Sequence, residues 1–108
     1  MVSDRELDEV FHALADPTRR ALLRRLADGA CKIGVLAAPF PISFAAISKH
    51  VKVLETAGLV SRQIDGRAHI VRIELARLRD ANEWLAVQER FWSTQFDALE
   101  ALIDNDEI

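Results

Sequence analysis

The sequence predicts a mainly α-helical fold closed by one β-hairpin, in the order α-α-α-α-β-β-α. Three observations predict it. As far as Ala57, apolar residues recur at spacings of three and four, in segments bounded by helix caps and stops. Two β-branched-rich runs, Val60–Ile64 and His69–Leu75, then flank an Asp65-Gly66 pair. From Ala76 to Ile103 the chain has neither Pro nor Gly and keeps a helical apolar period.

Each element follows from local chemistry. Ser3 with Glu6 three residues later is a capping-box pattern, and Leu7, Val10, Phe11 and Leu14 continue it as an amphipathic helix. Asp16-Pro17 starts a second helix, with Asp as N-cap and Pro in the first turn. Ala21, Leu22, Leu23 and Leu26 form its apolar face, and Gly29 stops it. Ile33 to Phe40 reads as a short third helix, with Pro39 near its end and Pro41 breaking the chain. Ser43 caps a fourth helix that ends at Gly58. Asp65-Gly66 predicts a type I′ hairpin turn, which needs positive φ at both central residues. In the second strand Ile70, Arg72 and Glu74 alternate with Val71, Ile73 and Leu75, so one face is mostly apolar. The last helix runs to about residue 103, and Asp104–Ile108 reads as a frayed tail.

With 108 residues the chain reads as one domain, 1–108, with no internal repeat or linker. No apolar run reaches the roughly 20 residues of a membrane span, and the acidic start MVSDRELDEV lacks the order of a signal peptide. A cytoplasmic protein without membrane partners is therefore expected. Cys31 is the single cysteine, which excludes an internal disulfide. The net charge of −3 conceals three blocks: −3 over residues 1–15, +5 over 16–74 and −5 over 75–108. An electrostatic footprint is local, so the basic centre matters more than the total.

That centre holds the candidate functional residues. In the fourth helix, about 43–57, Ile47, Val51 and Leu54 form a packing stripe, while Phe44, Ala45, Ser48, Lys49 and Lys52 fall elsewhere on the wheel. By itself this favours a packing helix with a solvated basic face; the hairpin behind it turns the balance to DNA binding. The preceding short helix makes it the second member of a helix-turn-helix, whose N-terminal residues face base edges in a major groove. Ala45 and Ala46 allow close approach, Ser43 and Ser48 can bond phosphate or base, and Lys49 and Lys52 neutralise phosphates. The hairpin, about 60–75, is then a wing, with Arg62, Arg67 and His69 around its tip. Thr18, Arg19 and Arg20 open the second helix, where amides and Arg can hold a phosphate, although one of these arginines can instead pair with Asp16.

The segments FHALADPTRRALLRRLADG and AISKHVKVLETAGLV, with the DGR turn, together resemble the ArsR/SmtB type of winged helix-turn-helix repressor. The resemblance covers roughly residues 7–103. It implies a homodimeric transcriptional regulator that binds a palindromic double-stranded DNA operator, usually as a repressor. On that resemblance Ser43, Phe44, Ala45, Ser48, Lys49 and Lys52 map to the recognition face, and the first and last helices to the dimer interface. The chain departs from the family's metal sensors. The positions of a Cys-X-Cys pair fall on Lys32 and Gly34, neither of which ligates a metal, and the last helix carries carboxylates but no His. No metal site and no cofactor are expected.

The last helix, about 76–103, places Leu78, Leu85, Trp92 and Leu99 seven residues apart, beside a companion row of Ala81, Gln88, Gln95 and Leu102. Trp84, Phe91 and Phe96 widen the apolar face. A dimer seam formed with Leu7 and Phe11 of the first helix is the leading expectation; filling of the protomer core and an effector pocket are the others. Two further functional readings stand beside DNA binding: a winged-helix module that docks proteins and not DNA, and a thiol-responsive repressor using Cys31. With one Cys, scattered His12, His50 and His69, and no glycine-rich phosphate loop, no catalytic constellation is present and no enzyme is expected.

Overall fold

The computed structural model describes residues 3–106. Its elements are α1 (Asp4–Leu14), α2 (Pro17–Leu26), β1 (Cys31–Lys32), α3 (Ile33–Ala37), α4 (Phe44–Thr56), β2 (Val60–Asp65), β3 (Ala68–Ile73) and α5 (Ala76–Asp106). The caps foreseen in the sequence do form. Ser3 Oγ accepts from Glu6 N–H while Glu6 Oε2 accepts from Ser3 N–H, both at 3.2 Å. Asp16 Oδ2 accepts from Arg19 N–H at 3.0 Å, and that bond holds the Asp16 carboxyl below its ordinary range.

α4 ends in a Schellman motif: Leu59 N–H donates to Leu54 O and Gly58 N–H to Glu55 O, both at 3.0 Å. Gly58 has φ +76°, and a Cβ there would lie 2.9 Å from Arg77 Cγ on α5. Gly58→Ala is therefore expected to cost about 1–2 kcal/mol or more, read as a lower urea midpoint at an unchanged m-value.

The sheet has the order β1-β3-β2, antiparallel throughout. The sequence reading missed β1, because a two-residue strand shows no alternation; its pairing of Cys31 with Val71 and Lys32 with Ile70 is a long-range event. The hairpin turn also differs from expectation. Asp65 pairs with Ala68, so the central residues are Gly66 and Arg67 and not Asp65 and Gly66. Only Gly66 has positive φ, +62°, which excludes type I′ and matches type II′, with glycine first. The alternation along β3 holds: Val71 is fully buried while Arg72 is exposed.

Val10, Leu22, Leu26, Leu36, Ile47, Val51, Leu54, Leu59 and Val71 form the fully buried centre. α4 packs against α1, α2, α3 and β2, so its orientation is fixed from several sides. α3 stops at Ala37, earlier than the predicted Phe40. α5 continues through the predicted frayed tail to Asp106; Glu107 and Ile108 lie outside the described residues.

α5 is joined to the body through α1. Phe11 meets Trp84 edge-on at 5.8 Å, and Arg77 pairs with Glu6. The Arg77 guanidinium, with the Ser3 N–H, holds the Glu6 carboxyl below its ordinary value of 4.5. A depressed folded-state pKa contributes stability above the unfolded value and loses it as pH falls through the folded one. Glu6→Gln is accordingly expected to flatten the fall in melting temperature between about pH 5 and about pH 3. An unchanged acid slope would contradict this role for the pair.

Candidate nucleic-acid interface

α4 has two sides because its apolar residues recur on one of them. Ile47, Val51 and Leu54 are fully buried, whereas Phe44, Ala45, Lys49, Lys52 and Thr56 are exposed. Ser43 Oγ accepts from Ala46 N–H at 3.1 Å and so fixes the start of the helix. Ser48 is half-buried. The six α4 candidates thus lie along or beside one accessible stripe. Lys52 Nζ stands 4.0 Å from Glu55 Oε1, a loose solvent-exposed pair of small energetic weight.

The wing residues divide. Arg67 is exposed at the tip. Arg62 is not at the tip: its Nε is 3.6 Å from Glu55 Oε2, and its Nη1 is 3.3 Å from His69 Nδ1. With Arg62 donating, His69 Nδ1 is the accepting nitrogen. Arg62 and His69 therefore join the wing to α4 through Glu55, a residue the sequence reading did not single out. The three stand seven residues apart on three different elements, and no helical or strand period signals them.

Arg19 is likewise occupied within the protein. Its Nε donates to Ala13 O at 2.7 Å, its Nη2 to His12 O at 2.9 Å, and its Nη1 lies 3.3 Å from His50 Nδ1. Arg20 Nη1 donates to Leu14 O at 2.7 Å. These arginines satisfy the carbonyls left open at the C-terminus of α1. Asp16 accepts the Arg19 main-chain N–H, so the guanidinium ties α1 to α4. Thr18 is half-buried beside it. His50, on the edge of the packing stripe, is a hydrogen-bonded structural residue.

Lys32, read from the sequence only as a departure from a metal site, lies across a groove of about 320 Å³ from Arg67, with Val35 and His69 also in its walls. The strand pairing of β1 with β3 sets Lys32 on the same groove as the turn residue Arg67. Gly34, in the same wall, has no donor to offer a metal. Among the described residues no three His, Cys, Asp or Glu side chains converge. No helix is long and apolar enough to cross a membrane.

The dimer candidates also divide. Leu7 is only 7% exposed and belongs to the protomer core; Phe11 and Leu78 are half-buried against it. Leu85, Trp92 and Leu99 are 48%, 54% and 54% exposed. Trp84, Phe91 and Phe96 are exposed too, which overturns the alternative that these aromatics fill the protomer core. Phe91, Trp92 and Phe96 instead stack along the outside of α5, with centroids 5.3 and 6.4 Å apart.

Comparison with known proteins matches residues 14–63 to a helix-turn-helix domain family. The chain is 37% identical over 106 residues to the HTH-type transcriptional regulator Rv2034 of Mycobacterium tuberculosis, covering 98% of this chain and 96% of that protein. It is 33% identical to the transcriptional repressor SdpR of Bacillus subtilis, covering 73% and 88%. A crystal structure of an ArsR family transcriptional regulator, RHA00566, superimposes with a TM-score of 0.81 at 36% identity, covering 85% of this chain and 95% of that one.

Proposed function

This chain belongs to the ArsR family of winged helix-turn-helix transcriptional regulators, and from that premise we propose that it is a homodimeric repressor reading a palindromic operator with α4 of each protomer. The observation that carries the reading is the two-sided α4, anchored by fully buried Ile47, Val51 and Leu54 and offering Phe44, Ala45, Lys49 and Lys52 to solvent. Ser43, Phe44, Ala45 and Ser48 face base edges, and Lys49 and Lys52 neutralise phosphates. Arg67 reaches the backbone or minor groove beside the site. Arg62, His69 and Arg19 act behind this surface by holding the wing, α1 and α4 in register, and Thr18 presents the start of α2 to a phosphate.

The exposed row of Leu85, Trp92 and Leu99 supports dimerisation, since a soluble protomer gains by covering so much contiguous apolar surface. Two-fold symmetry then sets the recognition helices about one turn, ~34 Å, apart along the duplex. Similarity to SdpR supports repression, by occupation of a promoter in the cytoplasm. The test is selection of binding sites from genomic DNA by the purified protein, followed by footprinting. Two protected half-sites one turn apart are expected. A dimer that no duplex retains at moderate salt would refute the proposal and favour a protein-docking module.

A further inference from the structure

The helix-turn-helix is defined as much by what it lacks. From Ile33 to Ser48 the sequence holds no Asp, Glu, Lys, Arg, His, Asn or Gln. That stretch includes α3, the turn and the first turn of α4, the part of the motif that enters a groove. The bidentate means of base reading, Arg or Lys on guanine and Asn or Gln on adenine, are therefore missing from the tip of the recognition helix. The nearest basic residues on α4, Lys49 and Lys52, begin more than a helical turn further along.

The tip offers Ser43, Phe44, Ala45 and Ser48 instead. Ser43 Oγ already accepts the Ala46 N–H, and serine hydroxyls serve donors and acceptors alike, so they discriminate weakly. Phe44 is 55% exposed, a large apolar side chain on the first turn of a helix whose packing side is elsewhere. Ala45 beside it is exposed as well. The one apolar group that a base pair displays in the major groove is the thymine C5-methyl.

We propose that Phe44, with Ala45, reads thymine methyl groups, which makes Phe44 the specificity-determining residue of each half-site. The proposal rests on the DNA-reading function above and adds the base class that α4 selects. Half-sites recognised by this protein carry thymine under the N-terminus of α4, with no guanine contact from that turn.

The test uses full-length protein and the duplex enriched from a random library. Deoxyuridine then replaces thymine one position at a time, removing only the methyl group. Wild type is expected to lose roughly fourfold in affinity for each contacted methyl removed, and to be indifferent at flanking positions. Phe44→Ala is expected to lose most of the thymine preference and to keep only the share that Ala45 supplies, and Phe44→Leu to retain more of it. Because Phe44 is exposed and outside the core, both variants are expected to keep the wild-type melting temperature. An enriched operator that wild type binds equally with uracil throughout, or a thymine preference undiminished in Phe44→Ala, overturns this proposal alone. Failure to enrich any duplex overturns the DNA-reading function and this inference with it.

Discussion

Replacing Lys49 and Lys52 together with alanine is expected to flatten the salt dependence of operator binding by about 3.6 in the slope of log K against log salt. The figure follows from two lysines in each of two protomers and roughly 0.9 per phosphate released from its counterions. If the intercept at 1 M salt is unchanged, the same slope implies a loss of about a thousandfold at 0.15 M. Both side chains are exposed and neither belongs to the core, so the melting temperature should hold. Glu55 sharpens the expectation. It lies near both Lys52 and Arg62, so removing Lys52 leaves the wing's ion pair in place. Fluorescence anisotropy at several salt concentrations supplies the measurement. Undiminished binding with an unchanged slope would remove this side of α4 from the interface.

Trp92→Glu combined with Leu99→Glu is expected to convert the proposed dimer to a folded monomer. Each side chain is 54% exposed in the protomer, so neither substitution opens a cavity, and Glu is a good helix former. Covering the exposed half of a large apolar side chain is worth roughly 0.8–1.5 kcal/mol, and two such residues per protomer give about 3–6 kcal/mol across a two-fold interface. Its loss, with four like charges brought together, is expected to raise the dimer dissociation constant by about two orders of magnitude or more. Operator affinity should fall with it, because a monomer engages one half-site. Sedimentation equilibrium reads the assembly and circular dichroism the retained helix. An unchanged dimer would move the interface away from this part of α5.

Much of the architecture was legible locally. The α1 cap needs only Ser3 and Glu6, the α2 start only Asp16 and Pro17, and the α4 limits only Ser43 and Gly58, all within reach of near neighbours. The turn register was not. Asp65-Gly66 is a strong hairpin signal, but the pairing of Asp65 with Ala68 moved the turn by one residue, because pairing along β2 and β3 outweighs a dipeptide preference. β1 was invisible for a related reason: it exists only because β3 is there to pair with.

The candidate site divides along the same line. Which residues of α4 face away from the core follows from the order of amino acids alone, since it depends only on a period of 3.6 and the placement of apolar residues. That order also determined the basic centre and the apolar row of α5. Only the tertiary structure decided which cations remain available to a partner. Arg19 is bonded to two α1 carbonyls and His50, Arg62 is held by Glu55 and His69, and Lys32 lines the same groove as Arg67. Leu7 went to the core while Leu85, Trp92 and Leu99 stayed outside. The physical reason is that a helical face is set by contacts three and four residues apart. A guanidinium's partners are set instead by whichever distant carbonyls and carboxylates the packed helices bring within about 3 Å.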